Sequence, residues 1–161
     1  MMSTSYLRSF IFGVEDSLVS TVGLLSGVAI ANTPRETILL TGTVLVFVEA
    51  FSMAAGSFLS ESSVEEYEQK RAVSAYRPIV TAIIMFFSYF IAGFIPLSPY
   101  AFMETSSAFA VSIMASLVAL GFLGAIGGRI SKMSLWRGAI RMAIVGGAAI
   151  LVGVVVGQFF V

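Results

Sequence analysis

The chain has 161 residues, of which 58% are hydrophobic and only 11% are charged, and its mean hydropathy is +0.98. This composition is far more apolar than that of soluble domains and indicates a membrane protein. Nine basic and nine acidic residues give a net charge of zero, so no overall field favours a nucleic-acid partner. Because the chain has no cysteine and no histidine, disulfides, thiolate metal sites and histidine-based catalysis are excluded. The sequence also shows no recognisable pair of nucleophile and base, so we do not expect an enzyme.

Five apolar segments are candidates for transmembrane helices, because a helix needs about 20 residues to cross the hydrocarbon core of a bilayer. Their approximate limits are 10–31, 36–60, 78–96, 106–128 and 138–160. Helix is expected to continue from the second segment into the polar stretch that follows it, and Pro96 and Pro99 are expected to close the third. The sequence thus predicts an all-α membrane protein in which residues 1–161 form one transmembrane domain and 61–77 form a short connector.

Lysine and arginine are distributed unevenly between the two ends of these spans. Eight of the nine basic residues lie before the first span, between the second and third, or between the fourth and fifth and just inside the fifth. Only Arg35 falls on the other side. Cytosolic loops carry an excess of lysine and arginine, so we expect the N-terminus and the 61–77 connector to be cytosolic and the C-terminus to lie outside.

Apart from Glu36 at the very start of the second span, three acidic residues fall inside the predicted spans. Glu15 and Asp16 lie in the first turns of the first span, and Glu49 lies near the middle of the second. An ionised carboxylate at the bilayer centre costs roughly 2.5–3.5 kcal/mol, so such residues indicate function. No basic residue is expected at the depth of Asp16 or Glu49, and an unpaired acid there either stays protonated or binds a cation. Glu15 fits a position among lipid headgroups equally well.

Polar and small residues share helical faces with these acids. On the second span, Glu49, Ser52, Met53 and Gly56 lie on one face, and a stripe of serine and glycine follows Asp16 on the first. Facing stripes of this kind predict a narrow, partly hydrated pathway. A carboxylate that releases its proton to accept a metal ion would couple the two fluxes, and the thioether of Met53 would shift preference from magnesium or calcium towards iron(II).

A second group of acids follows the second span. If helix continues there, Glu61, Glu65 and Glu68 share one face at the cytosolic mouth of the pathway. Their carboxylates have the oxygen ligands that divalent cations prefer, so they are candidates for capturing cations before entry. A solvated acidic helix end explains the same pattern, and the sequence leaves both interpretations open.

Four motifs resemble, in order, those of the vacuolar iron transporter family, which includes plant nodulin-like carriers and many prokaryotic members. They are GVEDSLVSTVGLLSGVA (13–29), EAFSMAAGSFLS (49–60), RPIVTAIIMFFSYFIAGFIPLSPY (77–100) and RGAIRMAIVGGAAILVGVVVG (137–157). Together they cover nearly the whole chain. Any one of these motifs alone would be weak evidence for the family. The occurrence of all four in the same order makes the resemblance specific.

The resemblance implies a five-helix homodimer that exports iron(II), and often manganese(II), from the cytosol in exchange for protons. The path would follow the dimer interface, lined by the first two helices. The family's first-helix aspartate falls on Asp16, and its second-helix glutamate and methionine fall on Glu49 and Met53. Metal would be cargo, with no permanently bound cofactor. The host membrane would be a plasma membrane in a prokaryote and a vacuolar or other organelle membrane in a eukaryote.

Two departures from the family pattern stand out. Members commonly carry a glutamate after the glycine of the second-helix motif, where this chain has Ser57. Some members also have a long cytosolic helical domain that loads metal, and here only the short connector 61–77 occupies its place. Two other functions fit the residues: a non-transporting membrane assembly module, whose acids would anchor a second subunit, and a passive channel for divalent cations.

Overall fold

The computed structural model describes residues 4–72, 74–130, 132 and 134–160, and these ranges form five long α-helices. The helices are α1 (Thr4–Ile30), α2 (Arg35–Gln69), α3 (Tyr76–Phe102), α4 (Thr105–Ile130) and α5 (Leu135–Gln158). Each is long and apolar enough to cross a membrane. The prediction of an all-α architecture with five apolar helices is therefore confirmed, and the chain is an integral membrane protein.

Consecutive helices run in opposite directions, which gives the bundle two distinct ends. One end carries the start of α1, the end of α2 and the start of α3, which contact one another through Arg8, Glu61 and Arg77. We call it the basic end, because eight of the nine lysines and arginines lie at or near it. We call the other end of the bundle the opposite end. It carries Arg35, whose guanidinium donates hydrogen bonds to the carbonyls of Tyr100 and Ala101 at the end of α3.

The first helix lies at the centre of the bundle. It packs most extensively against α3 and α5 and also contacts α4 and α2. Small hydroxyl residues allow this close packing, and Ser17 satisfies its buried hydroxyl by donating to the carbonyl of Tyr89 at 2.6 Å. The second helix packs mainly on α3, so large apolar side chains such as Phe47, Phe51 and Leu59 face outward.

Glycines bring α1 and α5 into direct backbone contact. An ideal Cβ on Gly27 would lie 2.6 Å from the carbonyl oxygen of Gly153, and one on Gly153 or Gly157 would collide with the backbone of α1. In a bilayer, where no hydrophobic force drives helices together, such close approach supplies the packing energy. The Gly23 and Gly27 pair therefore packs against a helix of its own chain.

The third helix continues past the two prolines that were expected to close it. Pro99 has no N–H for the carbonyl of Ile95, and the hydroxyl of Ser98 donates to that carbonyl instead, at 3.1 Å. Neighbouring hydroxyls commonly satisfy carbonyls freed by proline in membrane helices. The second helix, as predicted, continues through most of the polar stretch and ends at Gln69, after which Lys70 adopts a left-handed conformation with φ 50°.

Candidate functional site

The two intramembrane acids predicted to bind metal lie on neighbouring helices at one level of the bundle. Asp16 is half-buried on α1 and Glu49 is half-buried on α2. Asp16 lies close enough to Glu49, and to its neighbour Glu15, for each of them to repel its negative charge. Within the described ranges, none of the ion pairs involves these three acids. This part of the membrane interior therefore attracts a proton or a cation.

A cavity of about 600 Å³ opens between α1, α2 and α3 on the basic-end side of these carboxylates. Its lining includes four serines, two methionines and one arginine, namely Ser9, Ser52, Ser57, Ser60, Met53, Met85 and Arg8. Met53 lies one helical turn from Glu49 towards the basic end. The inner part of this cavity therefore comes within about one turn of the two acids on their basic-end side. We call it the basic-end cavity.

A second cavity, of about 750 Å³, lies on the other side of the two carboxylates. It is formed by α1, α2 and α5, and its lining is almost entirely apolar apart from Ser20 and Thr33. Ser20 follows Asp16 by one turn, and Leu45 precedes Glu49 by one turn, so this opposite cavity continues the same faces of α1 and α2. By helical rise, Asp16 and Glu49 thus lie between the basic-end cavity, which is the more polar of the two, and the opposite cavity.

Four charged side chains join three helix ends at the basic end of the bundle. Arg8 pairs with Glu61 at 3.2 Å, and Arg77 pairs with Glu61 at 3.3 Å and with Glu65 at 3.2 Å. Arg77 also donates a 2.9 Å hydrogen bond to the hydroxyl of Ser5. The side chains of Glu61 and Glu65 are only 5% and 10% exposed, whereas those of Arg8 and Arg77 are 69% and 46% exposed, so buried carboxylates meet partly exposed guanidinium groups.

This cluster bears on the predicted capture of cations by Glu61, Glu65 and Glu68. The first two carboxylates already bind arginine, so a cation would have to displace a guanidinium to reach them. Glu68 is exposed one turn further along α2. The interpretation as a simple solvated helix end does not fit Glu61 and Glu65, because both are buried. Capture by these three acids stays a prediction.

Replacing Arg77 with glutamine is expected to lower the free energy of unfolding by about 1–2 kcal/mol. The substitution leaves Glu65 without its arginine. A hydrogen bond to a charged group contributes about 1.5–3 kcal/mol to stability. The expected loss is smaller because the guanidinium of Arg77 is partly exposed to solvent. Thermal unfolding in detergent would measure the change. Arg71→Gln is the matched control, since Arg71 is exposed and bonds only to Gln69 among the described residues. Equal midpoints for the two variants would show that the contacts of Arg77 contribute nothing to stability.

The metal-binding capacity of one copy is limited. In residues 4–72, 74–130, 132 and 134–160, no three acidic side chains lie close enough together to hold a metal ion. A cation at the level of Asp16 and Glu49 would therefore take further ligands from hydroxyls, thioethers, water or a second copy of the chain.

Comparison of the sequence with known proteins identifies the family of this chain. The model of the VIT family matches residues 7–75 and 68–158, which is nearly the whole chain. The chain belongs to the VIT family. The predicted family is thereby confirmed, and both Asp16 and Glu49 lie inside the first VIT match. VIT relatives are named as transporters, which confirms that this chain is not an enzyme.

Several plant VIT proteins are similar over almost their full length. Vacuolar iron transporter 1 of Oryza sativa subsp. japonica is 25% identical, with 91% of this chain and 82% of the relative covered. Vacuolar iron transporter homolog 3 of Arabidopsis thaliana is 29% identical, with 92% and 84% covered. Vacuolar iron transporter homolog 2 of Oryza sativa subsp. japonica is 27% identical, with 99% and 93% covered.

Two residues near the acids were not singled out from the sequence. Met85 lines the basic-end cavity from α3, and Tyr89, one turn further along α3, is fully buried with its hydroxyl 2.7 Å from that of Ser20. The Tyr89 hydroxyl is within electrostatic range of Asp16 and Glu49. The available signal was the polar pair Ser88 and Tyr89 inside an otherwise apolar span, which marks the inward face of α3.

Proposed function

We propose that the chain is a secondary transporter that carries iron(II), and also manganese(II), out of the cytosol in exchange for protons. The observation that carries the proposal is the position of Asp16 and Glu49, two half-buried acids without a described ion-pair partner, between the basic-end cavity and the more apolar opposite cavity. The names of the relatives supply the metal, since several VIT proteins are called vacuolar iron transporters.

The direction of transport rests on the charge asymmetry of the bundle. The basic end carries eight of the nine lysines and arginines, and such an end is retained in the cytosol. The basic-end cavity then opens towards the cytosol, and a metal ion enters between the serine hydroxyls and the thioether of Met53. Beyond Asp16 and Glu49 the ion leaves through the opposite cavity.

Proton coupling follows from the chemistry of the two acids. Two carboxylates held near each other within the membrane, with no described arginine or lysine beside them, favour the binding of a cation or a proton. A divalent cation satisfies both carboxylates, and its departure requires protons to replace it. Alternate binding of metal and proton at Asp16 and Glu49 links outward metal movement to inward proton movement.

A homodimer would complete the path. α1 and α2 pack on each other less extensively than other neighbouring helices do, and both cavities lie along the face that they share. In a twofold dimer each residue occurs twice, so two copies of Asp16 and Glu49 would supply the carboxylates that one copy lacks. A second copy packed on this face would also exclude lipid from both cavities.

Transport into proteoliposomes tests the proposal directly. Purified protein is reconstituted into vesicles with an acidic interior, iron(II) is added outside with a reductant, and a trapped dye reports the interior pH. Wild type is expected to take up iron while the interior becomes more alkaline. Glu49→Gln is expected to lose both signals, because glutamine carries no charge and exchanges no proton.

Glu36→Gln is the matched control, because Glu36 lies exposed in the first turn of the same helix. It is expected to transport like wild type. Iron uptake that ignores the pH gradient would indicate a passive channel. Loss of self-association in Glu49→Gln, with no metal or proton movement in well-folded wild type, would indicate an assembly module instead.

A further inference from the structure

Two methionines line the basic-end cavity from different helices. Met53 extends from α2, and Met85 extends from α3, where it is only 5% exposed. An ideal Cβ placed on Gly13 would lie 3.1 Å from the sulfur of Met85, so this sulfur is seated directly against the backbone of α1. Gly13 precedes Asp16 by three residues, which sets the Met85 sulfur about one turn below that carboxylate.

The two thioethers therefore occupy matching positions relative to the two acids. Met53 lies one turn from Glu49, and Met85 touches α1 one turn from Asp16, in both cases towards the basic end. Two other methionines in the described ranges, Met142 and Met114, have different surroundings. Met142 is equally buried, but it packs with Leu18 and Leu120 in an apolar cluster, and Met114 is 67% exposed on the outer surface.

A site with two thioethers and nearby hydroxyls has a definite metal preference. Thioether sulfur is a soft ligand that favours iron(II) and later transition metals, whereas magnesium and manganese favour sites made of oxygen alone. We propose that Met85 is a second thioether ligand, and that Met53 and Met85 together form a selectivity site which the metal ion contacts before it reaches Asp16 and Glu49. The proposal rests on the transport function proposed above and assigns Met85 a role in choosing the metal.

The test compares iron(II) and manganese(II) uptake in the same proteoliposomes. Met85→Leu removes the sulfur and keeps a side chain of similar volume, so packing should change little. The ratio of iron to manganese uptake is expected to fall by about three- to tenfold, which corresponds to the loss of one weak neutral ligand. Met142→Leu makes the same chemical change in the apolar cluster and is expected to leave the ratio unchanged.

A double variant separates a shared site from two independent effects. If Met53 and Met85 bind the same ion, Met53→Leu combined with Met85→Leu should change the ratio by less than the product of the single changes. A ratio in Met85→Leu equal to that of wild type and Met142→Leu would overturn the proposal, and iron transport by wild type would still support the transport function.

A spectroscopic measurement tests the ligand without transport. X-ray absorption at the iron edge of wild-type protein in detergent, loaded with iron(II) alone, is expected to show sulfur scattering at metal-ligand distance. Met85→Leu should reduce that sulfur signal, and Met142→Leu should not. Iron bound by oxygen alone in the wild type would overturn the proposal, whether or not the vesicles transport iron. Absence of iron transport in the vesicles would contradict the transport function separately.

Discussion

Asp16→Asn is expected to lower the rate of iron(II) transport by roughly 10- to 100-fold, the loss of one interaction with a charged group. Asparagine keeps the shape of the side chain but carries neither its charge nor its exchangeable proton. Because the Asp16 and Glu49 charges interact, the two carboxylates are expected to act as one unit. The double variant Asp16→Asn with Glu49→Gln should then be no slower than the slower of the single variants. Initial rates of iron uptake into proteoliposomes measure all three.

Glu15→Gln provides the comparison for Asp16. Glu15 is adjacent in sequence and also half-buried, but it points about 100° away around the helix. Its replacement is expected to reduce transport far less than Asp16→Asn. Single effects that multiply in the double variant, or an equal loss in Glu15→Gln, would contradict a shared binding unit at Asp16 and Glu49. The second result would instead place Glu15 in the path, the role that the sequence leaves open.

The number and type of helices follow from the sequence because length and hydropathy decide whether a segment crosses a bilayer. Asp16 and Glu49 stand out for a related reason, since a charge inside an apolar span is costly and therefore informative. Neither inference needs any knowledge of which helices touch. This is why both were available from the residues alone.

The inward faces of the helices were harder to predict. In a membrane the outer face is as apolar as the inner one, so periodicity does not distinguish a residue such as Met85, which lines a cavity, from Met114, which faces outward. The arginine contacts of Glu61 were also hidden, because Arg8 lies 53 residues away in the sequence. Only the packing of α1, α2 and α3 brings these side chains together.

In α3 the local helix-ending tendency of proline is overridden by the surrounding structure. Proline disfavours a continued helix, and Pro96 and Pro99 were expected to end the span. The helix instead reaches Phe102, since Ser98 supplies a hydrogen bond to the carbonyl that Pro99 leaves free. A membrane interior offers no water to compete for such carbonyls, so helix is retained wherever a hydroxyl is within reach.

Gly153→Val is expected to destabilise the bundle by about 3 kcal/mol, the upper end of the usual cost of overpacking. A Cβ at Gly153 would collide with the backbone of Gly23, and backbone atoms, unlike the tip of a flexible side chain, have no room to move aside. The clash can be relieved only if α1 and α5 separate along their contact. A lower midpoint of thermal unfolding in detergent, by roughly 5–10 °C, would register this change.

Gly147→Val places the same side chain on the same helix and is expected not to destabilise the bundle. A Cβ on Gly147 would meet nothing within 4 Å, so no contact has to give way. Glycine is the weaker helix former of the two residues, and valine at an open position should raise the unfolding midpoint slightly or leave it unchanged. Equal destabilisation by both variants would show that valine harms α5 wherever it stands. A loss confined to Gly153→Val would instead tie the stability of the bundle to the glycine contact that holds α5 against α1, the helix that carries Asp16.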